Sequence, residues 1–172
     1  MKLWRLTRKE HQALDGLGAF RLGGRYSSPG LPIVNFASEA GLAVLVALRY
    51  WQANAKPDEA EYVLGWTETV AVPERIPSEL SDDARKALVD EWATSRRSLL
   101  IALQSAVLPE TDVILLNVLH QDAASIAPLT TRPFSFSQCL HRPPMMSQYS
   151  ANSAELRSHH PDDDLPDGHP SA

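Results

Sequence analysis

The chain has 172 residues, 44% of them hydrophobic and 22% charged, enough for one domain with a real core. A net charge of −5 and a pI near 5.6 argue against general affinity for nucleic acid or an anionic membrane, although a local basic pocket stays open. The lone cysteine, Cys139, excludes an internal disulfide and a thiolate zinc cluster; no signal-type or membrane-spanning apolar run is present, so a cytoplasmic location with no membrane association is expected.

Residues 2–6 alternate in character and predict an opening strand with Trp4 and Arg5 on opposite faces. A short helical turn around residues 10–14 ends at Asp15-Gly16, and His11 there reads as a solvated helix residue, with no second metal-type residue at helical spacing. Residues 19–22 lead into Gly23-Gly24 as a short strand. The glycine pair lets main chain approach a ligand closely, and Arg25 offers a planar fork of donors for phosphate or carboxylate. Ser28-Pro29-Gly30 marks a turn. Residues 31–34 are short, apolar and branched, which predicts a buried strand. Ser38 is placed to cap a helix over residues 40–51. That segment is apolar on nearly every face, which predicts burial.

Residues 52–60 form a polar connection containing Lys56-Pro57. Residues 61–72 predict a strand with Tyr62, Leu64, Trp66 and Val70 inward and Gly65 interrupting it. A loop over 73–81 precedes a helix that Asp82 and Asp83 open and that runs through Asp90 and Trp92. Residues 98–103 read as a buried strand, and 126–129 and 133–136 as closing strands. His120 has Asp122 two residues on but no accompanying nucleophile, which favours a structural loop histidine. After residue 140 the composition shifts to proline, serine, histidine and aspartate, so residues 141–172 are expected to form a disordered acidic tail. No metal site is expected.

The run Gly23-Gly24-Arg25-Tyr26-Ser27-Ser28-Pro29-Gly30, followed by apolar residues, Asn35-Phe36-Ala37-Ser38 and Ala43-Val44-Leu45-Val46, resembles the signature of the RES domain. This family is the toxin half of a bacterial toxin–antitoxin pair. Its pattern is approximately Gly-Gly-Arg-Trp-Asn-x-x-Gly, apolar residues, Tyr-x-Ala-Ser and Ala-Val-Leu-Glu. Further ordered matches resemble the family. Val89-Asp90-Glu91-Trp92 is similar to Gly-Asp-x-Trp. Ser105-Ala106-Val107-Leu108-Pro109 is similar to its Pro-Ser-x-x-x-Pro loop, with Gln104 in place of the first proline. Leu115-Leu116-Asn117 with His120 is similar to Leu-Leu-Asn-Pro-x-His. Pro133-Phe134-Ser135-Phe136 starts the last motif, but Ser137 and Cys139 stand where the family has aspartate and arginine.

The resemblance implies one α+β RES domain over residues 1–140, a mixed sheet core with flanking helices similar to ADP-ribosyltransferases. It implies NAD+ as the substrate, with degradation of NAD+ or transfer of ADP-ribose to a protein acceptor, and neutralisation by an Xre-type helix-turn-helix antitoxin. It places Arg5, Gly24, Arg25, Tyr26, Asn35 and Ser105 at the nucleotide. The two arginines would neutralise the pyrophosphate, and an aromatic would pack on a ring. Asn35 falls at the family tyrosine and Val46 at the family glutamate, so no catalytic residue is assigned. Glu39 is no substitute, since it lies about 10 Å away along the helix axis. Loss of a positioned acid–base group costs on the order of 10²–10⁴ in rate. The alternative is therefore a catalytically impaired RES fold that binds nucleotide or antitoxin.

Overall fold

β1 (Lys2–Arg8) pairs antiparallel along its whole length with β3 (Tyr62–Glu68), and β3 pairs in turn with β7 (Thr130–Phe134). On its other side β1 keeps a single paired position with β2 (Ile33–Ala37), Trp4 opposite Ala37. β2 continues the sheet through β6 (Asp112–Asn117) and β5 (Leu100–Gln104), and a two-residue β4 (Glu74–Arg75) adds a parallel edge. The order is β4-β5-β6-β2-β1-β3-β7, a mixed seven-stranded sheet in an α+β domain. The computed structural model describes residues 1–48 and 61–136. The expected end of the long helix, the connection at 52–60, residues 137–140 and the tail at 141–172 lie outside the described residues. Residues Met1–Phe134 form one compact unit.

Each face of the sheet carries its own core. Ile33, Leu64, Ile101, Leu103 and Leu115 pack with Leu42 and Trp92 of the helices, while Leu3, Val34, Phe36, Leu100, Ile114 and Leu116 pack on the other side. Residues 100–103 are buried on both faces, which explains a continuous apolar run in an antiparallel strand. α3 (Asp82–Ser95) is capped by Ser81, whose Oγ accepts the Ala84 amide at 3.2 Å, with Asp82 and Asp83 in its first turn. It buries Trp92, whose indole N–H donates to Ser98 Oγ at 2.8 Å.

Several local expectations are corrected. Residues 19–22 belong to α1 (Leu17–Leu22) and not to a strand. Asp15 Oδ1 accepts the Leu17 amide at 3.0 Å, and Gly16, at φ 67°, turns the chain into the helix. The strand expected at 31–34 runs from Ile33 to Ala37. Ser38 Oγ accepts the Asp112 amide at 3.0 Å, so its hydroxyl fastens β6 instead of capping a helix. α2 (Ala40–Leu48) buries Leu42 and Ala43 but leaves Leu45 at 37% exposure, so it is not enclosed on every face. β3 stops at Glu68, and Val70, expected inward, is 99% exposed. Gly65 does not interrupt β3; it pairs with Arg5 and Thr131, and a Cβ there would lie 3.0 Å from Leu129 Cδ1. β4 lies inside the expected loop at 73–81, and residues 126–129 form no strand.

Candidate functional site

Beyond the Trp4–Ala37 bridge β1 and β2 have no further paired position, and a cavity of about 940 Å³ is bounded by Arg5, Leu6 and Thr7 on one strand and Ile33 and Asn35 on the other. That volume is in the range of ligand pockets, roughly 300–1,000 Å³. α1 and the glycine loop form one wall. Ala43, Val46 and Ala47 of α2 form another, and the loop at Ser105, Ala106 and Val107 closes a side. All six residues expected at the nucleotide line this one cavity, as does Val46.

Arg5 is partly buried, yet its Nη1 is fully enclosed and makes no hydrogen bond, the one such buried side-chain atom among the described residues. Burial pulls its pKa below the ordinary arginine value, and the nearby Asp15 charge works in the opposite direction. An enclosed cationic donor without a partner is expensive unless an anion meets it. Asn35 is the exposed member of an otherwise buried strand, which turns its amide to the cavity.

The glycine loop is held from several sides. Gly23 has φ 67° and ψ −164°, a backbone region open to glycine, and a Cβ there would meet Ser27 O at 2.9 Å. Gly24 differs: its amide donates to Ser27 O at 2.9 Å and is engaged within the loop, while a Cβ would make ordinary contact at 3.5 Å. The Ser28 amide donates to Asp90 Oδ1 at 2.9 Å, which ties the loop to α3. Arg25 is exposed, with its guanidinium carbon 5.4 Å from the Tyr26 ring centroid, a cation–π contact that aims both side chains together. Ser105 is 3% exposed, and its Oγ accepts the amides of Val107 and Leu108 at 3.2 Å each, so it shapes the loop beside the cavity.

Reading along the chain missed Glu10, His11, Asp15 and Arg21, all of which line the cavity. Glu10 lies 3.7 Å from Arg8 Nη1 and 3.6 Å from His11 Nε2. Glu10 and His11 belong to a 3-10 turn (Lys9–His11) that looks solvated in sequence, Asp15 and Arg21 follow it, and the cavity forms only when β1 and β2 diverge. The Asp90–Ser28 link joins residues 62 apart and leaves no local signal. His120 lies outside this cavity, and its Nδ1 accepts the Asp122 amide at 3.1 Å, a structural role. A smaller cavity of about 220 Å³ shares Tyr26, Ser105 and Ala106 with the large one. Among the described residues no group of three or more metal-type side chains converges. Nor is any helix among them long and apolar enough to cross a membrane. The arrangement suits an anionic ligand of nucleotide size, with cations inside and at the mouth.

The RES domain family model matches residues 2–137. Over 132 residues the sequence is 33% identical to a protein of Sphingobium sp. (strain YBL2) named Prs ADP-ribosylating toxin, covering 68% of this chain and 80% of that one. The fold is similar to a chain in the crystal structure of the M. tuberculosis MbcT–MbcA toxin–antitoxin complex. The TM-score is 0.62 over 91% of this chain and 88% of that chain, at 18% identity, a likeness of fold.

Proposed function

This chain belongs to the RES domain family, and we propose that it is an NAD+-consuming toxin that transfers ADP-ribose to a protein acceptor and is held inert by an Xre-type antitoxin. The observation that carries the reading is the enclosed, unpartnered guanidinium nitrogen of Arg5 in the same cavity as Arg25, Tyr26 and Asn35. The name of the Sphingobium relative supports transfer over hydrolysis.

Arg5 inside and Arg25 at the mouth would meet the negative charges of the dinucleotide's diphosphate. Tyr26, held beneath Arg25, offers an aromatic face, and Asn35 offers an amide that donates and accepts. In the reaction the bond between ribose C1′ and nicotinamide breaks. Nicotinamide leaves neutral with the bonding electron pair, and an acceptor nucleophile captures C1′; if water does so, NAD+ is hydrolysed. Val46, an aliphatic side chain where the family has glutamate, favours a second reading in which NAD+ is bound but not turned over.

The test is incubation of purified protein with NAD+ labelled in the ADP-ribose half, with and without cell extract, beside Arg25→Ala. Released nicotinamide and a labelled acceptor, both lost in Arg25→Ala, are expected. Nicotinamide without a labelled protein would replace transfer by hydrolysis. Calorimetric binding without release would support the second reading, and absence of binding would overturn both.

A further inference from the structure

The RES pattern supplies its carboxylate from the helix that is α2 here, but α2 holds no acidic residue between Ala40 and Leu48. The carboxylates lining the cavity among the described residues are Glu10 and Asp15, both from the segment between β1 and α1. They are differently placed. Both are exposed, but Glu10 has Arg8 and His11 within ion-pair distance. Asp15 is fixed by one oxygen: Oδ1 accepts the Leu17 amide at 3.0 Å, and Oδ2 has no hydrogen-bond partner among the described residues. Its charge reaches Arg5 and favours the cationic guanidinium there. Gly16, the next residue, is packed against Pro32 and Ile33, where an added Cβ would lie 2.5 Å from the Pro32 carbonyl carbon, so the main chain that follows Asp15 sets its position.

We propose that Asp15 is the catalytic carboxylate of this chain, supplied from the loop before α1 in place of the glutamate that Val46 replaces. The inference rests on the reading of the cavity as an NAD+ site. As the C1′–nicotinamide bond breaks and the electron pair leaves with nicotinamide, positive charge develops on the ribose, and a fixed carboxylate stabilises it. The acceptor's O–H or N–H nucleophile then bonds to C1′. Its proton passes to Asp15 and on to solvent, so that NAD+ and acceptor yield ADP-ribosyl acceptor, nicotinamide and one proton.

The experiment compares nicotinamide release and calorimetric NAD+ affinity for the parent, Asp15→Asn and the double variant Asp15→Asn with Val46→Glu, each checked by thermal melting. Asparagine keeps an oxygen for the Leu17 amide, so the fold is preserved. Asp15→Asn is expected to lose on the order of 10²–10⁴ in turnover with NAD+ affinity retained. The double variant should recover turnover, which a merely structural aspartate would not allow. Turnover by Asp15→Asn at the parent rate overturns the assignment, as does a loss of affinity that accounts for the lost turnover. A parent that binds NAD+ without releasing nicotinamide also overturns it but leaves the NAD+ site intact. A parent that binds no NAD+ overturns the reading of the cavity itself.

Discussion

The two walls of the cavity are unlike. The segment from Arg5 to Tyr26 contributes Arg5, Glu10, His11, Asp15, Arg21 and Arg25, whereas α2 contributes Ala43, Val46 and Ala47, which have no polar side-chain atom. Charge recognition and shape are thus carried by separate stretches of chain. Substitution of the arginines in the first should change ligand affinity with little effect on folding, and substitutions in the second the reverse.

The sharpest test of that division is Arg5→Met. Charge-assisted hydrogen bonds contribute about 1.5–3 kcal/mol, so NAD+ affinity by calorimetry is expected to fall roughly tenfold to a hundredfold. The melting temperature should hold or rise, because an enclosed unpartnered donor disappears. A drop in melting temperature without loss of affinity would break the comparison.

Gly23→Ala is expected to cost about 1–3 kcal/mol in denaturant unfolding, since φ 67° and ψ −164° are closed to alanine and Ser27 O blocks its Cβ. Gly24→Ala should be close to neutral. On the aliphatic wall, Val46→Ala should lower stability by about 1 kcal/mol and leave NAD+ affinity unchanged. The smallest effect lies away from both walls. Arg97 holds the Glu74 carboxyl below its ordinary value of 4.5 through hydrogen bonds to both oxygens. A carboxyl whose folded pKa is depressed contributes stability above the unfolded value and loses it as pH falls through the folded one. The stability margin of the parent over Glu74→Gln should therefore narrow below pH 4.5, with NAD+ affinity affected equally in both proteins.

Much of this was readable along the chain wherever the cause is local. Asp82 and Asp83 announce α3, the apolar run at 98–103 announces a buried strand, and the Gly23-Gly24 pair announces a loop that the Gly23 backbone makes glycine-dependent. Arg5, Gly24, Arg25, Tyr26, Asn35 and Ser105 came from resemblance, and the fold gathers them around one space. Where the cause is distant the sequence was silent or misleading. Residues 19–22 look like a strand because the helix signal sits earlier, in the Asp15 side chain and the turn at Gly16. Val70 continues an alternation that the end of β3 at Glu68 makes irrelevant. Asp15 reads as half of an Asp-Gly turn, and its place in the cavity depends on the parting of β1 from β2.

The sheet order places β1 and β2 side by side, yet β2 is held along its length by β6, at residues Asp112–Asn117, and Val113 and the loop at Ser105–Val107 are themselves part of the cavity lining. Translation delivers these pieces late. A nascent chain that has left the ribosome only as far as residue 100 carries every charged side chain of the site but lacks β6 and the loop at Ser105–Val107. Domains fold as units as they emerge, so the pocket closes in one late step. Under the proposed NAD+-consuming activity, a chain released early by a premature stop codon would be harmless.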